Sequence, residues 1–267
     1  MKQYLSFFRI RFTAGLQYRA AAWAGIATQF AWGGMAVLMF RAFYKTGHND
    51  FPMTMSQLST YIWMQQAFLA MYMTWFFDND IFESITSGSI AYELCRPCDL
   101  YTMWFVKNMA IRLSRTVLRC APILLFAAFL PAPYNISLPP DLLSAVLFLV
   151  SMTLGFLVLI AFSMLIYMSA FFTISSTGIR ILSSSIMEFL AGGIIPLPFF
   201  PAEAQLALNA LPFASMQNTP YLIYAGHLPP SRALPGIALQ LFWLICLILI
   251  GRFTMQRATK KVIFQGG

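Results

Sequence analysis

Four charged side chains lie inside or beside long apolar stretches of the sequence, where ionised groups are rare. Glu188 is well inside an apolar segment, and Arg112, Arg115 and Arg119 recur at helical spacing just before the apolar run 121–130. The three arginines therefore share one face of a predicted helix. An ionised group in lipid is costly and has to face protein or a watery cavity. These four residues are our candidates for contacting a polar or anionic solute along a path through a membrane.

Each of these candidates also has a purely structural interpretation. Glu188 could be a protonated or hydrogen-bonded packing group between helices. The arginines could extend to lipid phosphates, or they could hold anionic groups inside a cavity that faces the cytoplasm. The residue pattern favours packing for Glu188 and a structural role for the arginines, but it leaves the other roles open.

Other residue types that could do chemistry do not form a recognisable site. The pair Cys95 and Cys98 could be half a zinc site or a redox pair, yet it has no matching second pair and no nearby histidine. His48 and His227 are far apart in the sequence and have no acidic partner set. The chain has no phosphate-binding loop of the type G-x-x-x-x-G-K-[ST]. We therefore expect no metal, no cofactor and no enzymatic activity on this chain, and any ATP would have to bind to another one.

The composition is typical of a membrane protein. Hydrophobic residues make up 59% of the 267 residues and charged residues only 10%, and the mean hydropathy is +0.70. Soluble domains usually carry about 25% charge. The net charge of +8 would favour nucleic-acid binding in a soluble protein, but here the basic residues flank apolar stretches, so we expect no nucleic-acid partner.

The apolar stretches predict an all-α integral membrane protein, with residues 1–267 forming one domain. The segment 1–19 is predicted to be an interfacial helix with Leu5, Phe8, Phe12 and Leu16 on its apolar face. The polar loop 78–107 and the proline-rich segment 196–232 are too irregular for ordinary spans. In the loop we expect a short helix near 81–86, a turn at Gly88, an extended piece through Leu94, and a new helix after Pro97 that leads into the third span. The six predicted spans cover residues 20–43, 58–77, 108–130, 142–171, 181–195 and 233–250.

The distribution of basic residues predicts the orientation. With these spans, 14 of the lysines and arginines fall on one side, and three (Arg41, Lys45 and Arg232) fall on the other. Cytoplasmic loops are enriched in Lys and Arg. Both termini are therefore predicted to be cytoplasmic, and the first apolar run is predicted to be a retained span because no convincing cleavage site follows it.

Two stretches resemble a known family. The segment Gly88-Ser-Ile-Ala-Tyr-Glu-Leu-Cys-Arg-Pro97 is similar to the G-x-[ILV]-x-x-x-L-x-[KR]-P segment that follows the second span in membrane permeases of type 2 ABC transporters. Gly192-Gly193 leading to Pro196, followed by Phe200-Pro201 and Leu211-Pro212, resembles the segment after their fifth span. The resemblance is to the small form of these permeases, in which the ATPase is a separate polypeptide.

The resemblance implies a site at each side of the membrane. A cytoplasmic coupling helix between spans two and three would dock on the ATPase, and the residues expected there are Ile81, Phe82, Glu83, Ile85, Gly88, Glu93, Leu94, Arg96 and Pro97. Re-entrant helices between spans five and six would form an outer gate, for which the candidates are Pro196, Phe199, Phe200, Pro201 and Pro212.

The resemblance also implies partners and an activity. The expected partners are two ATPase subunits that bind ATP and Mg²⁺, a second permease chain that is identical or homologous, and membrane lipids. The expected activity is export across a bacterial plasma (inner) membrane of a hydrophobic or amphipathic substrate such as a drug, a peptide or a lipid-linked molecule. The alternative is a free-standing protein without an ATPase, either an ion-coupled carrier that uses Glu188 or a scaffold for membrane assembly.

Overall fold

The computed structural model describes residues 2–46, 51–173 and 175–260. His48 and Lys261, which the sequence interpretation used, lie outside these residues. The described residues contain helices and connecting turns but no strands. The helices are α1 (Lys2–Gly15), α2 (Arg19–Tyr44), α3 (Met55–Ala67), α4 (Leu69–Tyr72), α5 (Asn79–Thr86), α6 (Ile90–Leu94), α7 (Leu100–Ala128), α8 (Leu142–Ser169), α9 (Ser176–Leu190), α10 (Ala202–Ala210), α11 (Asn218–Tyr224) and α12 (Pro230–Thr259), with a 3₁₀ turn at Leu197–Phe199.

Polar caps fix where several of the helices begin. The Asp99 carboxylate accepts a hydrogen bond from the backbone N–H of Thr102 at 2.9 Å at the start of α7. The Asp141 carboxylate accepts from the N–H of Ser144 at 2.5 Å at the start of α8. Thr54 forms a capping box with Gln57 at the start of α3. Such caps satisfy N–H groups that have no partner within the helix, so short polar connections can start long apolar helices.

Within the described residues, three helices are long and apolar enough to cross a membrane, namely α2, α8 and α12. The central helix is α8, which packs along α12 and α11 and contributes fully buried residues such as Val158, Leu159 and Tyr167 to the core. Leu125 and Leu249, by contrast, are 61% and 62% exposed. Large apolar side chains on the outside of a bundle are typical of surfaces that face lipid.

Contacts at the two ends of the bundle define its topology. At one end, Asn79 accepts a hydrogen bond from Arg180 at 3.0 Å and Thr102 accepts one from Arg252 at 3.3 Å. At the other end, Trp63 donates to the carbonyl of Tyr134 at 2.8 Å. The start of α5, the start of α7, the first part of α9 and the last part of α12 therefore lie together at one end of the bundle. Helix α1 and the end of α12 lie at the end that carries α5 and α6.

Several helix bounds differ from those expected from the sequence. The predicted span 58–77 is divided into α3 and the single turn of α4, after which residues 73–78 are not helical. The helix expected after Pro97 is present as α7, which begins at Leu100. Helix α9 runs from Ser176 to Leu190 and therefore begins and ends five residues earlier than the predicted span 181–195. The expected extended piece through Leu94 is wrong, because Ile90–Leu94 is helical.

Helix α1 packs on α7 through a face other than the predicted apolar one. Leu5, on the predicted apolar face, is 71% exposed, which is compatible with the predicted interfacial position. Tyr4 and Phe7 instead pack against the core, and the Tyr4 hydroxyl accepts a hydrogen bond from the N–H of Asp99 at 2.9 Å. The face is set by contacts with α7, which the pattern of α1 alone does not contain.

Candidate functional site

Helices α5 and α6 form a compact projection at one end of the bundle, which we call the inner helix pair. Its inner side is apolar, with Ile81 and Phe82 almost fully buried. Its outer side is polar, and Glu83 and Arg96 are exposed there. Tyr92, which the sequence analysis did not single out, is 78% exposed. The pair thus offers a surface to a partner while its other side is part of the core.

The remaining predicted docking residues are distributed over both sides of this pair. Ile85 and Leu94 are half-buried and pack on the core, whereas Gly88 and Pro97 are exposed. The carboxylate of Glu93 accepts a hydrogen bond from the indole of Trp104 at 2.8 Å. Glu93 therefore joins α6 to α7, and its carboxylate is bound within the chain and not by a partner.

Ionic contacts attach the start of α5 to α7. The Lys107 ammonium lies 2.7 Å from the Asp78 carboxylate and 3.0 Å from that of Asp80. Lys107 and Asp78 are buried, whereas the Asp80 side chain is 73% exposed. The hydrogen bond and positive charge from Lys107 lower the pKa of Asp80 below its ordinary value. No other ion pair is found among the described residues. Both pairs join α7 to the start of α5 and so hold the inner helix pair in place.

The inner helix pair is also attached to α8 and α9. The backbone N–H of Asp78 donates to the Tyr167 hydroxyl at 2.7 Å. On α9, Arg180 donates to Asn79 at 3.0 Å, and its guanidinium lies 4.6 Å from the centre of the Phe82 ring. Helices α7, α8 and α9 therefore all contact the projection through ion pairs or hydrogen bonds.

Arg112 holds the non-helical segment between α4 and α5. It is completely buried, and its guanidinium donates to the carbonyls of Met71, Met73 and Phe76 at 3.3, 2.7 and 2.9 Å. These carbonyls lie in the last turn of α4 and in the non-helical residues after it. Carbonyls at the end of a helix have no backbone N–H partner within that helix. Arg112 thus supplies the hydrogen bonds that this stretch of backbone lacks.

The next arginines on the same face line cavities. Arg115 and Arg119 line a cavity of about 590 Å³ between α1, α2 and α7, together with Arg11, which we call the arginine cavity. Arg119 also lines a second cavity of about 560 Å³ between α2, α3 and α9. Arg112 lines neither of the two.

The second cavity contains Glu188, and we call it the glutamate cavity. The Glu188 carboxylate accepts a hydrogen bond from the Thr74 hydroxyl at 2.6 Å. The other polar side chains along the wall include Gln29 and Gln65, and the apolar part includes Trp32. Of the four sequence candidates, the structure therefore brings Glu188 and Arg119 to one cavity and leaves Arg112 outside it.

A tight turn after α9 directs the chain into the outer segment. Gly192 has φ of +77°, and the N–H groups of Gly192 and Gly193 bond back to the carbonyls of Phe189 and Glu188. This is the Schellman arrangement, in which a residue with positive φ ends a helix, and glycine adopts that conformation without steric cost. An added Cβ at Gly193 would lie 2.3 Å from a Glu188 oxygen. The turn and the position of Glu188 are thus linked.

The predicted outer-gate residues surround the 3₁₀ turn. Pro196 and Pro212 are buried and Pro201 is exposed. The Phe199 ring lies 5.4 Å from that of Phe40 on α2, and the Phe200 ring lies 5.4 Å from that of Phe189 on α9. The segment therefore rests on two helices that also line the glutamate cavity, and Pro196 itself lines that cavity.

Comparison with known proteins identifies the family of the chain. A family model described as ABC-2 family transporter protein matches residues 29–266. The chain belongs to the ABC-2 transporter family. A search of curated proteins gives no match. The resemblance noted in the sequence is therefore confirmed over nearly the whole chain.

Membership of the ABC-2 family fixes the general role of the molecule. The chain is a membrane permease subunit of an ABC transporter, and members of this family generally lack a nucleotide-binding site of their own. The family implies association with ABC ATPase partners. For an ABC-2 permease, the inner helix pair, the glutamate cavity and the arginine cavity each require a functional explanation.

Proposed function

We propose that this chain is one of two permease chains in an ATP-driven exporter of hydrophobic or amphipathic molecules. Two separate ATPase subunits would bind ATP and Mg²⁺. In this proposal α2, α3 with α4, α7, α8, α9 and α12 cross a bacterial inner membrane, α1 lies in the inner interface, and both termini are cytoplasmic. The support is the excess of basic residues at the end of the bundle that carries α1, α5 and α6.

The observation that carries the proposal is the two-sided character of the inner helix pair. Its exposed side, with Glu83, Tyr92 and Arg96, is free for an ATPase to contact. Its buried side is joined to α7 by Lys107, and α8 and α9 contact it through Tyr167 and Arg180. Closure of the ATPase subunits would therefore move three spans together and favour one orientation of the pathway over the other.

A second permease chain would complete the pathway. The side of the bundle formed by α2 and α9 exposes large apolar side chains, including Trp32 at 64%, Ile181 at 62% and Phe189 at 43%. The glutamate cavity opens between these helices. A second copy or a homologue placed there would cover the apolar surface and turn the cavity into an enclosed passage. Glu188 and Arg119 would then be the charged groups along a mostly apolar wall, which suits amphipathic cargo.

The outer segment would close this passage on the far side. Pro196 lines the glutamate cavity, and the Phe199 and Phe200 rings pack on α2 and α9. A relative movement of those two helices would therefore displace the rings. We propose that the residues from Pro196 to Pro212 act as the outer gate and open when the ATPase subunits close.

The experiment is affinity purification of the tagged permease in mild detergent, with the variant that combines Glu83→Arg and Arg96→Glu. We expect the natural protein to bring down a separate ATPase chain in equal amount. The variant should lose the ATPase and the transport while the protein level stays the same, because both changes are on the exposed side of the inner helix pair.

The matched control is Glu203→Arg, an exposed acid on α10 at the opposite end of the bundle. It should retain the ATPase. Equal ATPase recovery from the double variant and the natural protein would contradict docking at the inner helix pair. Repeated absence of any ATPase from the natural protein would favour a free-standing carrier that uses Glu188.

A further inference from the structure

The arginine cavity is a concentration of positive charge next to the inner helix pair and the glutamate cavity, and the lining that it shares with the glutamate cavity is Arg119. It lies where the end of α1 and the beginning of α2 meet the middle of α7. Its volume is about 590 Å³, and Arg11, Arg115 and Arg119 line it. Among the described residues that line it, the acid is Asp80, whose carboxylate is already bound by Lys107 at 3.0 Å. The cavity therefore has an excess of positive charge.

The three arginines have unused hydrogen-bond donors. None of them forms an ion pair within the part of the chain that the structure describes. Arg115 stacks on the Phe76 ring at 4.1 Å. Arg119 donates to the carbonyl of Ala21 at 3.3 Å, while its Nε atom is buried and has no hydrogen-bond partner. A guanidinium has five donors in a planar fork that matches phosphate oxygens. An anionic group in this cavity would satisfy donors that the protein leaves open.

The position of the cavity indicates which anionic group this is. Its wall includes Tyr18, Ala21 and Ala22, which are at the beginning of α2, a helix long and apolar enough to span a membrane. Tyr18 and Trp23 are 73% and 67% exposed. Exposed aromatic side chains at the end of a span are typical of the headgroup layer. In the proposed topology the cavity is therefore at the depth of the phosphates of the inner leaflet.

We infer that the arginine cavity binds the phosphate of an anionic phospholipid. Arg115 and Arg119 would hold the phosphate from α7, and Arg11 would approach it from α1. The apolar side chains of Ile111 and Leu118 also line the cavity, and they favour a lipid with its glycerol and upper acyl chains over a free phosphate. The inference depends on the topology under the proposed function, but it assigns a separate lipid site and not a step of transport.

The packing of α1 keeps the site assembled. An added Cβ at Gly15 would lie 2.1 Å from the hydroxyl oxygen of Ser114 on α7. The close approach of the two helices thus requires glycine at this position. It brings Arg11 over the cavity, and the lipid would in turn join α1 to α7, since α1 has no buried residues of its own.

The test is native mass spectrometry of the detergent-purified permease titrated with phosphatidylglycerol, with phosphatidylcholine and inorganic phosphate as separate arms. We expect phosphatidylglycerol to bind most tightly and inorganic phosphate to compete weakly. Arg11→Gln should weaken phosphatidylglycerol binding roughly fivefold, the usual effect of one basic residue close to anionic lipid. Combining Arg115→Gln and Arg119→Gln should weaken it further.

The matched control is Arg9→Gln, an exposed position on the same helix that does not line the cavity. It should bind like the natural protein. Equal losses for Arg9→Gln and Arg11→Gln, or equal binding of the two lipids, would overturn the proposal. If inorganic phosphate bound as tightly as phosphatidylglycerol, the lipid would not be the specific ligand, and the cavity would be a site for free phosphate. This measurement needs no ATPase. Failure of the exporter proposal would appear in the co-purification experiment, whereas failure of the lipid proposal would appear here.

Discussion

The junction between α4, α5 and α7 and the cavities beside α2 differ in how many partners each charged group has. At the junction, Arg112 donates to three carbonyls, although its Nε atom has no partner, and Lys107 contacts two carboxylates. At the cavities, Arg119 donates to one carbonyl and Glu188 accepts from one hydroxyl. Arg112 and Arg119 are on the same helix and only two turns apart. Position on a helix face therefore does not decide whether an arginine is structural or available to a ligand.

The difference has a simple energetic basis. A buried charge whose partners are all inside the protein stabilises one arrangement of the fold. Removing the charge or its partner leaves the other group buried and unpaired, which costs free energy. A charged group with spare capacity at a cavity can bind a solute or lipid without first breaking an internal contact. The comparison thus predicts that replacement at the junction disrupts the fold, and that replacement at the cavities changes binding.

The largest effect is expected for Arg112→Met. The change preserves apolar volume but removes the donors for the carbonyls of Met71, Met73 and Phe76. A buried carbonyl that loses its donor costs about 1–3 kcal/mol. We expect the protein to fail to accumulate in membranes or to lose many degrees of thermal stability in detergent. Quantitative blotting and a thermal unfolding curve measure these two outcomes.

The control for this prediction is Arg115→Met, one turn along the same helix. Arg115 is half-buried and stacks on Phe76 without an ion pair, so the variant should accumulate normally and unfold near the natural temperature. Similar losses for both variants would mean that the two arginines are equally structural, and the proposed contrast along α7 would be wrong.

The next largest effect is expected for Lys107→Met. The variant leaves the buried Asp78 carboxylate without its cation, and breaking a buried pair in this way costs about 3–5 kcal/mol. Because Asp78 begins α5, the inner helix pair should loosen and become sensitive to protease. Limited proteolysis and thermal unfolding in detergent provide the measurements.

Adding Asp78→Asn to Lys107→Met isolates the pair. The neutral amide no longer needs a cation and can still accept from the N–H of Asp80, so the double variant should regain much of the lost stability. If the double variant loses the sum of the two single losses, the Lys107 contact would be of little importance and α5 would be held by other contacts.

The sequence was sufficient to predict the elements that depend on apolar length. Helices α2, α8 and α12 are recognisable from their composition, and the turn at Gly88 and the short helices between Pro196 and Arg232 follow from glycine and proline. The face by which α1 packs on α7, with Tyr4 and Phe7, was not predicted, because it is determined by the fit of the two helices. The local sequence pattern predicts a helix well when its surroundings are the same along its length, as they are for a helix that faces lipid.

The division of roles along α7 could not be predicted in the same way. The spacing of Arg112, Arg115 and Arg119 correctly puts them on one side of a helix. The partners of Arg112, however, are backbone carbonyls of residues 71–76 that become available only because α4 ends after one turn. Glu93 is similar, since its partner Trp104 is brought close by the unexpected helix α6. Contacts of this kind, between a side chain and a group elsewhere in the sequence, depend on where neighbouring helices begin and end.

The smallest effect on stability is expected for Glu188→Gln, and this substitution sharpens the contrast. The amide oxygen can still accept the hydrogen bond from Thr74, so the unfolding free energy should change by about 1 kcal/mol or less. Thr74→Val is the matched change, because it leaves the Glu188 carboxylate without that donor and should cost more. Stimulation of ATP hydrolysis by cargo should nevertheless change in Glu188→Gln, because its charge faces the glutamate cavity. A loss of stability as large as that of Arg112→Met, with unaltered stimulation, would assign Glu188 to the structural group.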